Sequence, residues 1–316
     1  MNTRTSIRHF AFFILHSTLA LSALCADGVQ QRPRPDSPGA IRVVTANLRT
    51  TSPRDYETGN GWNQRRELCR DVLLALDADI YCFQEGRNAH LDFLKKTMPG
   101  FEHSVVAHVI TEKGQPEPTG TILYSTKRFK KVRSGGFWLS DTPEKPGSRF
   151  EGSAYTRIIN WVLLQDQETG RELLVWNAHL DEARGEKGAA LREKQARVFL
   201  DFAGKIPSSV PQIFTGDMNT TAGSKAMRDI TTAGWTDSWA ALHGPADPGR
   251  TFHGFAGAKV PGKGGKIDFI FCNTPLKPLA SEIVRDNRDG KYPSDHYFVM
   301  ADLEYRPAPP ENSNPQ

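Results

Sequence analysis

Apolar positions along the chain follow two rhythms. Short runs rich in Val, Ile, Phe and Tyr fall at 41–47, 80–84, 101–107, 121–125, 129–139, 158–165, 173–177, 212–215, 267–272 and 297–305. Their length and their β-branched and aromatic content predict strands. Elsewhere the apolar residues recur at helical spacing. The stretch 62–76 carries Cys69, Val72, Leu73 and Leu76 on one stripe, 89–98 is helical in pattern, and 186–202 aligns Leu191, Val198 and Phe202. Strands alternating with helices predict an α/β architecture. The strands between 101 and 177 follow one another without an intervening helix. That excludes a purely parallel, doubly wound sheet and favours mixed or largely antiparallel sheets with helices outside. No internal repeat and no shift in composition marks a second domain, so 41–305 reads as one domain.

Both ends depart from this pattern. Arg4 and Arg8 precede an apolar run over 10–24 that stops at Ala23-Leu24-Cys25-Ala26-Asp27. The run is about 15 residues, short of the ~20 a membrane span needs, so 1–26 is expected to be a signal peptide that is removed. Leu24 stands where lipoprotein processing favours a small residue, which disfavours a lipid anchor at Cys25. The expected location is therefore exported, periplasmic or secreted. The Pro-rich 27–40 is expected to be a linker and 306–316 a tail.

Composition narrows the class. A chain of 316 residues with 38% hydrophobic and 24% charged residues and 4 Cys is not a disordered tail, a disulfide scaffold or a multi-span membrane protein. Removing the leader leaves Cys69, Cys82 and Cys272, an odd number that suits core thiols rather than a paired framework. It also removes Arg4 and Arg8, so 38 Lys+Arg face 36 Asp+Glu and the net charge falls from +4 to +2. Nucleic-acid contact would then need a local basic patch. The candidate is Lys127-Arg-Phe-Lys-Lys-Val-Arg133, whose simpler reading is a solvated edge strand with lysines that block aggregation.

Several familiar motifs are absent. HExxH, paired CxxC and GxSxG do not occur, and Gly257 to Gly264 resembles a P-loop only loosely. It lacks the Ser or Thr that would hold magnesium and it precedes a strand instead of following one, so it reads as a Gly/Lys loop.

Polar residues gather instead at strand ends. Asn47 closes one strand, and Gln84-Glu85 closes the next. Asn177, His179 and Asp181 end a third; Asp217 and Asn219 lie just past a fourth; Asp268 sits in an apolar run, and Asp295-His296 precedes the last. Strand ends are where a rigid scaffold meets solvent, so one sheet edge would gather two histidines, several acids and two amides. Hard oxygen donors such as Glu85 suit Mg²⁺ or Mn²⁺. Phosphoester hydrolysis fits this chemistry best, because an anionic phosphoryl group needs a cation, an oriented water and a proton source. A histidine backed by a carboxylate makes a good base.

These residues resemble the endonuclease/exonuclease/phosphatase superfamily, which includes DNase I. The resemblance covers roughly 41–305 and rests on Gln84-Glu85, Asn177-Ala-His179-Leu-Asp181, Gly216-Asp-Met-Asn219, Ile267-Asp268 and Ser294-Asp-His296 in the family's order. More narrowly, Gly136 to Glu144, Thr251-Phe-His-Gly-Phe255 and Lys291 to His296 resemble a bacterial exported branch. The resemblance implies a four-layered α/β sandwich, two mixed sheets face to face between helices, with the site at one end. It implies Glu85 as principal metal ligand, with Asn47 and Asp295 beside the metal or its waters. It implies His296 as base, oriented by Asp268, with Asp217 as the rival base. Asp217 and Asn219 would position water and phosphate, and His179 would bind phosphate or protonate the leaving oxygen. Asn177 would lie nearby and Arg157 would contact phosphate. Glu151-Gly-Ser-Ala154 replaces a Trp-Asp pair common in that branch, which alters the local substrate wall.

The expected activity is that of an exported, Mg²⁺- or Mn²⁺-dependent phosphoesterase acting on a phosphomonoester or phosphodiester as a monomer, with no obligate protein partner. Its partner would be a phosphorylated substrate: nucleic acid, a sugar or inositol phosphate, or a phospholipid head group. A secreted endonuclease acting on DNA or RNA is the nearest alternative, and a binding protein that has lost turnover is another.

Overall fold

A computed structural model describes residues 28–111, 114–261 and 264–307. The expected signal peptide and most of the expected tail lie outside the described residues. The first half of the chain forms β1 (Ile41–Asn47), α1 (Pro53–Glu57), α2 (Trp62–Leu76), β2 (Ile80–Gln84), α3 (Asn88–Thr97), β3 (Phe101–Ser104), β4 (Val109–Ile110), β5 (Pro116–Glu117), β6 (Ile122–Ser125) and β7 (Phe129–Trp138). The second half forms β8 (Ile158–Asp166), β9 (Glu172–His179), α4 (Gly185–Ala203), β10 (Gln212–Asp217), α5 (Lys225–Thr232), β11 (Thr236–Asp237), α6 (Ser238–His243), β12 (Asp268–Cys272), β13 (Leu276–Val284) and β14 (Phe298–Tyr305).

One sheet runs β13-β14-β1-β2-β6-β3 and the other β11-β12-β10-β9-β8-β7. In each a single parallel pair, β1 with β2 and β9 with β10, sits among antiparallel neighbours. Both sheets are therefore mixed. Alternation along the strands sets the layers, since successive side chains point to opposite faces. Val43, Ile80 and Cys82 meet Leu173, Val175, Ile213 and Ile270 between the sheets. Their neighbours Val44, Tyr81 and Phe83 turn outward onto Leu68, Val72 and Leu73 of α2 and Leu91 and Leu94 of α3. On the other side Leu174, Trp176, Phe214 and Phe271 pack against Phe199 of α4 and Met227 and Ile230 of α5. The result is the four-layered sandwich that the residues resemble. Phe214 stacks on Phe199 with centroids 3.7 Å apart, and truncating such a ring costs about 3–5 kcal/mol.

Some elements differ from the sequence pattern. The run expected at 101–107 stops at Ser104, because the N–H groups of Val106 and Ala107 donate to Asn160 Oδ1 (2.8 and 2.7 Å) instead of joining the ladder. The edge strand β13 is hidden in sequence by Pro278, which sits where its register shifts. The expected linker is laid down on the domain: Arg32 pairs with Glu282 and Asp286 at 2.7 and 2.6 Å, and Arg34 with Asp79 at 2.8 Å. Cys69, Cys82 and Cys272 are free and buried, as expected of core thiols. No helix among the described residues is long and apolar enough to cross a membrane.

The start of α3 carries an acid-sensitive contact. The Arg87 N–H donates to His90 Nδ1 at 3.2 Å, and His90 Nε2 lies 3.1 Å from the Arg49 carbonyl, which fixes a neutral tautomer with the proton on Nε2. Burial, with the Arg65 charge adding to it, pushes His90 down to about 3. The folded state thus binds its proton more weakly than the unfolded chain does. Stability held above the ordinary histidine range should be lost as pH falls from about 6.5 toward 3, at roughly 1 kcal/mol per pH unit. The His90→Gln variant keeps one acceptor and one donor but cannot charge, so its melting temperature should fall less between pH 6.5 and 4.5. Parallel melting curves across that range check this.

Candidate active site

Strand register decides which residues can meet. Asn47 pairs with Gln84, placing the ends of β1 and β2, and Glu85 beyond, on one edge. In the other sheet Asp217 pairs with both His179 and Asp268. The antiparallel strand β14 starts beside the end of β1, which delivers Asp295 and His296 to the same place. Two parallel pairs ending together and two antiparallel strands starting there put both sheets' polar residues at one end of the sandwich. The Asn47 amide closes the gap between the sheets: Nδ2 donates to Glu85 Oε1 at 3.1 Å and to Asp217 Oδ2 at 3.0 Å, while Oδ1 accepts from the Arg49 N–H at 2.9 Å.

Around that bridge the groups are close. His296 Nδ1 lies 3.0 Å from Asp268 Oδ2, and its Nε2 lies 3.7 Å from Asp217 Oδ2. His179 Nε2 lies 3.5 Å from the same Asp217 oxygen and accepts from Asn219 Nδ2 at 3.0 Å. The Asn219 N–H donates to Asp217 Oδ1 at 2.9 Å. Glu85 Oε2 accepts from the Thr50 N–H at 2.8 Å. Asp295 Oδ2 stands 3.7 Å from Arg49 Nε. Glu85 and Asn219 hold φ values of +58° and +50°, a left-handed conformation that costs about 1–2 kcal/mol outside glycine and that asparagine tolerates best.

The electrostatics follow from crowding acids in a dry place. Burial opposes charging His296, but Asp268 and Asp217 outweigh it and push the imidazole up to about 10. Burial and then Asp268 push Asp217 up to about 7. Burial also raises Asp295. Burial opposes charging Glu85, yet the Thr50 N–H, the Asn47 amide and the charge on His296 hold its carboxyl below the ordinary value. His179 is held neutral, well below its ordinary value, by burial and by the Arg157 charge. Oxygen-rich donors that repel one another are what a hard divalent cation neutralises. Ligand atoms of Asp217, Asp268 and His296 lie within 4.8 Å of one another, but the charge on His296 already answers those two acids, so the oxygens left for a cation are those of Glu85 and of Asp295, which burial and the Glu85 charge both raise. The donor set fits such an ion.

The candidates from sequence therefore separate. Glu85, Asp217, Asn219, Asp268, Asp295, His179 and His296 come together. Asn47 joins them, though its amide nitrogen faces the acids and its oxygen is occupied by Arg49, so in this geometry it braces ligands. Arg157 lies at the margin beside His179, with Nε buried and unbonded and Nη2 3.4 Å from Glu182 Oε2. Asn177 does not reach the site. It is fully buried, donates to the Phe83 and Thr121 carbonyls at 2.9 and 3.2 Å and accepts from Gln84 at 2.7 Å, tying the sheets together one layer below. Residues two apart share a strand face, and His179 stands one step nearer the strand end, level with Asp217, whereas Asn177 is level with Thr215. Asp181 accepts from the Ala183 N–H at 2.8 Å and is a turn residue.

Two contributors lie outside the sequence candidates. Arg49 faces Asp295 and Asp55, and the only sequence signal was a base two residues past Asn47. Thr251 Oγ1 accepts from the N–H groups of Ile267 and Asp268 at 3.0 and 3.3 Å, which sets the start of β12. Gly216 is required by geometry. Its φ is +151°, and a Cβ there would stand 2.1 Å from the Ala178 carbonyl oxygen of the adjacent strand. Gly216→Ala must push β10 from β9 just where Asp217 and His179 are held. The expected result is a loss of about 3 kcal/mol or more of stability in denaturant unfolding, with Asp217 displaced.

Buried acids and histidines converging on a hard-cation donor set, at one end of paired mixed sheets, define a hydrolase class whose chemistry is directed at phosphoester bonds. The chain belongs to the Endonuclease/Exonuclease/phosphatase family, whose pattern matches residues 44–296. Members of this family are metal-dependent hydrolases of phosphoesters. No curated protein matches the chain. Among solved structures, a family protein from Bacteroides thetaiotaomicron is 26% identical, covers 85% of this chain and 99% of its own, and superposes with a TM-score of 0.74. A mannosyl-6-phosphatase from the same organism is 26% identical over 84% of this chain and all of its own, at 0.73. The D. rerio TDP2 complexed with a single-strand DNA product shares the fold at 21% identity, 84% and 99% coverage and 0.64.

Proposed function

We propose that the protein is an exported, monomeric, Mg²⁺- or Mn²⁺-dependent phosphoesterase that hydrolyses a small phosphorylated substrate. The observation that carries this is the array Asp268–His296–Asp217, with contacts of 3.0 and 3.7 Å, set beside Asn47 and Glu85. Glu85 and Asp295 would hold the cation, which when bound neutralises phosphoryl charge. Asp217, raised to about 7, is suited to take a proton from an attacking water near neutral pH. His296, kept charged by Asp268, offers Nε2–H to a phosphoryl oxygen, and Asn219 holds Asp217 and His179 in place. The buried, unbonded Arg157 Nε is a second donor for that oxygen group. The proton assignment thus favours Asp217 over His296 as the base. Neutral His179 accepts from Asn219, so it is a positioning group in the resting state.

Register speaks for a small substrate. The basic run on β7 pairs Lys130 with Gln165 and Lys131 with Leu164, whereas the site lies at the Trp138–Ile158 end of the same strand pair. Seven residues of strand, roughly 23 Å at about 3.3 Å each, separate the basic run from the chemistry. A polymer tracked by Lys130 and Lys131 would not thread the site by that face. The β4–β5 hairpin, anchored by Trp138 Nε1 on the His108 carbonyl at 3.0 Å and by an Arg87–Glu117 ion pair, adds a wall at the site end. The mannosyl-6-phosphatase relative supports the same reading, and the leader pattern over 1–26 supports export.

The test is a panel of plasmid DNA, RNA, a sphingomyelin-type diester and phosphorylated sugars in Mg²⁺ or Mn²⁺, each repeated with EDTA. EDTA-sensitive release from a small ester, with plasmid and RNA intact, is expected. Nicking of plasmid that EDTA abolishes, without turnover of small esters, would replace this reading with a nuclease.

A further inference from the structure

The segment Thr251-Phe-His-Gly-Phe255 is more than a packing loop. Thr251 is fully buried and sets the start of β12 through two hydrogen bonds. His253 is buried and accepts from the Gly257 N–H at 3.2 Å, and its own N–H donates to the Asp295 carbonyl at 2.8 Å. The guanidinium of Arg65 lies 5.7 Å from the Phe255 ring centroid. Phe252 alone among these side chains has no such structural task. It is 46% exposed between two neighbours that are 0% and 2% exposed. Its backbone forms an isolated antiparallel bridge with His296, and its ring lies 5.0 Å from the imidazole at 58°.

Bridge partners project their side chains to the same face of the pair. His296 projects toward Asp268 and Asp217, so Phe252 projects to the site side and ends in solvent there. An exposed aromatic on its own is unremarkable on a surface. This one is held against a buried, charged group of the reaction array by a backbone bridge, and it stands at the open rim. Across the array Tyr155 is 58% exposed, 5.7 Å over the Arg157 guanidinium, with its carbonyl tied by Ser153 Oγ at 2.8 Å. Two exposed rings thus flank the line Arg157–His179–Asp217–His296.

We propose that Phe252 is the specificity-determining platform of the substrate's non-phosphate part, and that it takes the apolar C–H face of a pyranose ring whose phosphate lies at His296. A sugar is polar at its rim and apolar on its faces, so a flat aromatic side chain recognises it by dispersion with little demand for hydrogen bonds. An acyclic polyol phosphate offers no such face. The proposal rests on the phosphoesterase reading above and names the substrate class of that site.

The experiment compares kcat/KM for mannose 6-phosphate and glycerol 3-phosphate in the whole protein, as wild type, Phe252→Ala and Phe252→Trp, with Mg²⁺ present and melting curves alongside. The expected result is that the ring-over-acyclic preference falls at least tenfold in Phe252→Ala, mainly through KM, and returns in Phe252→Trp. An equal loss on both substrates would overturn the proposal, because Phe252 would then act only by packing on His296. An unchanged preference would overturn it as well. A wild-type protein that hydrolyses glycerol 3-phosphate but not mannose 6-phosphate would sink the platform and leave the phosphoesterase reading standing. Hydrolysis of neither would overturn the platform, and only silence on the sphingomyelin-type diester and the other phosphorylated sugars as well would remove the phosphoesterase reading.

Discussion

Replacing His296 with alanine is expected to lower kcat for a small phosphoester by about a thousandfold or more, with a smaller change in KM. A preorganised charged donor in a dry site contributes on the order of 10²–10³ in rate by itself. His296 does two things at once. Its Nε2–H is the donor aimed into the site, and its charge holds Asp217, 3.7 Å away, in a usable ionisation state. Removing it also leaves Asp268 buried with neither carboxylate oxygen paired to a charged group, since Oδ1 already lacks a partner. That should cost about 1–3 kcal/mol of stability, so the variant melts lower but folds. His296→Gln, which restores a neutral donor, should recover melting temperature more than it recovers kcat. A variant that keeps wild-type kcat would remove His296 from the reaction.

Glu85→Gln carries the second large effect. Against its burial, Glu85 is held ionised, below its ordinary value, by the Thr50 N–H, the Asn47 amide and the charge on His296, and it occupies a left-handed position where nothing about folding calls for a glutamate. Its oxygens are already oriented by Thr50 and Asn47, so the side chain is prepared as a ligand before any ion arrives. The neutral amide keeps the shape and loses the charge. The expected outcome is a fall in turnover of about 10³ at millimolar Mg²⁺, partly relieved at higher concentration. A readout independent of activity is available. Ligand binding to the folded state raises stability by RT ln(1 + [L]/Kd), so Mg²⁺ at 100 Kd should add about 2.7 kcal/mol to wild-type stability. Glu85→Gln should show little of that rise. Equal stabilisation of both proteins by Mg²⁺ would take Glu85 out of the metal site.

Much of the scaffold was legible because both faces of the central strands are buried. Ile80 to Gln84 and the helix Trp62–Leu76 fall where the apolar rhythm puts them, and the family pattern supports their arrangement. The strand-end rule also gathered Asn47, Glu85, His179, Asp217, Asp268, Asp295 and His296, because each closes or opens an apolar run whose direction is set by its neighbours. Failures have local causes. Pro278 interrupts β13, whose edge position tolerates it, so an unbroken run never forms in sequence. Val106 and Ala107 look like strand but are captured by a single distant amide, Asn160, which no local pattern reveals. Asn177 shares a motif with His179 yet serves the sheet contact, because two residues of strand separate a core position from a rim position. The role of Phe252 depends on a bridge to a residue 44 positions away (296 − 252) and was invisible until that bridge was seen.

The most direct measurement is phosphate release from mannose 6-phosphate in ¹⁸O-enriched water with Mg²⁺, by wild type, by wild type with EDTA and by Asp217→Asn. Attack of an Asp217-activated water on phosphorus puts one ¹⁸O into the released phosphate and none into the sugar, and both EDTA and Asp217→Asn should suppress the release by orders of magnitude. Release that proceeds undiminished in EDTA or in Asp217→Asn, or label found in the sugar, would contradict the account.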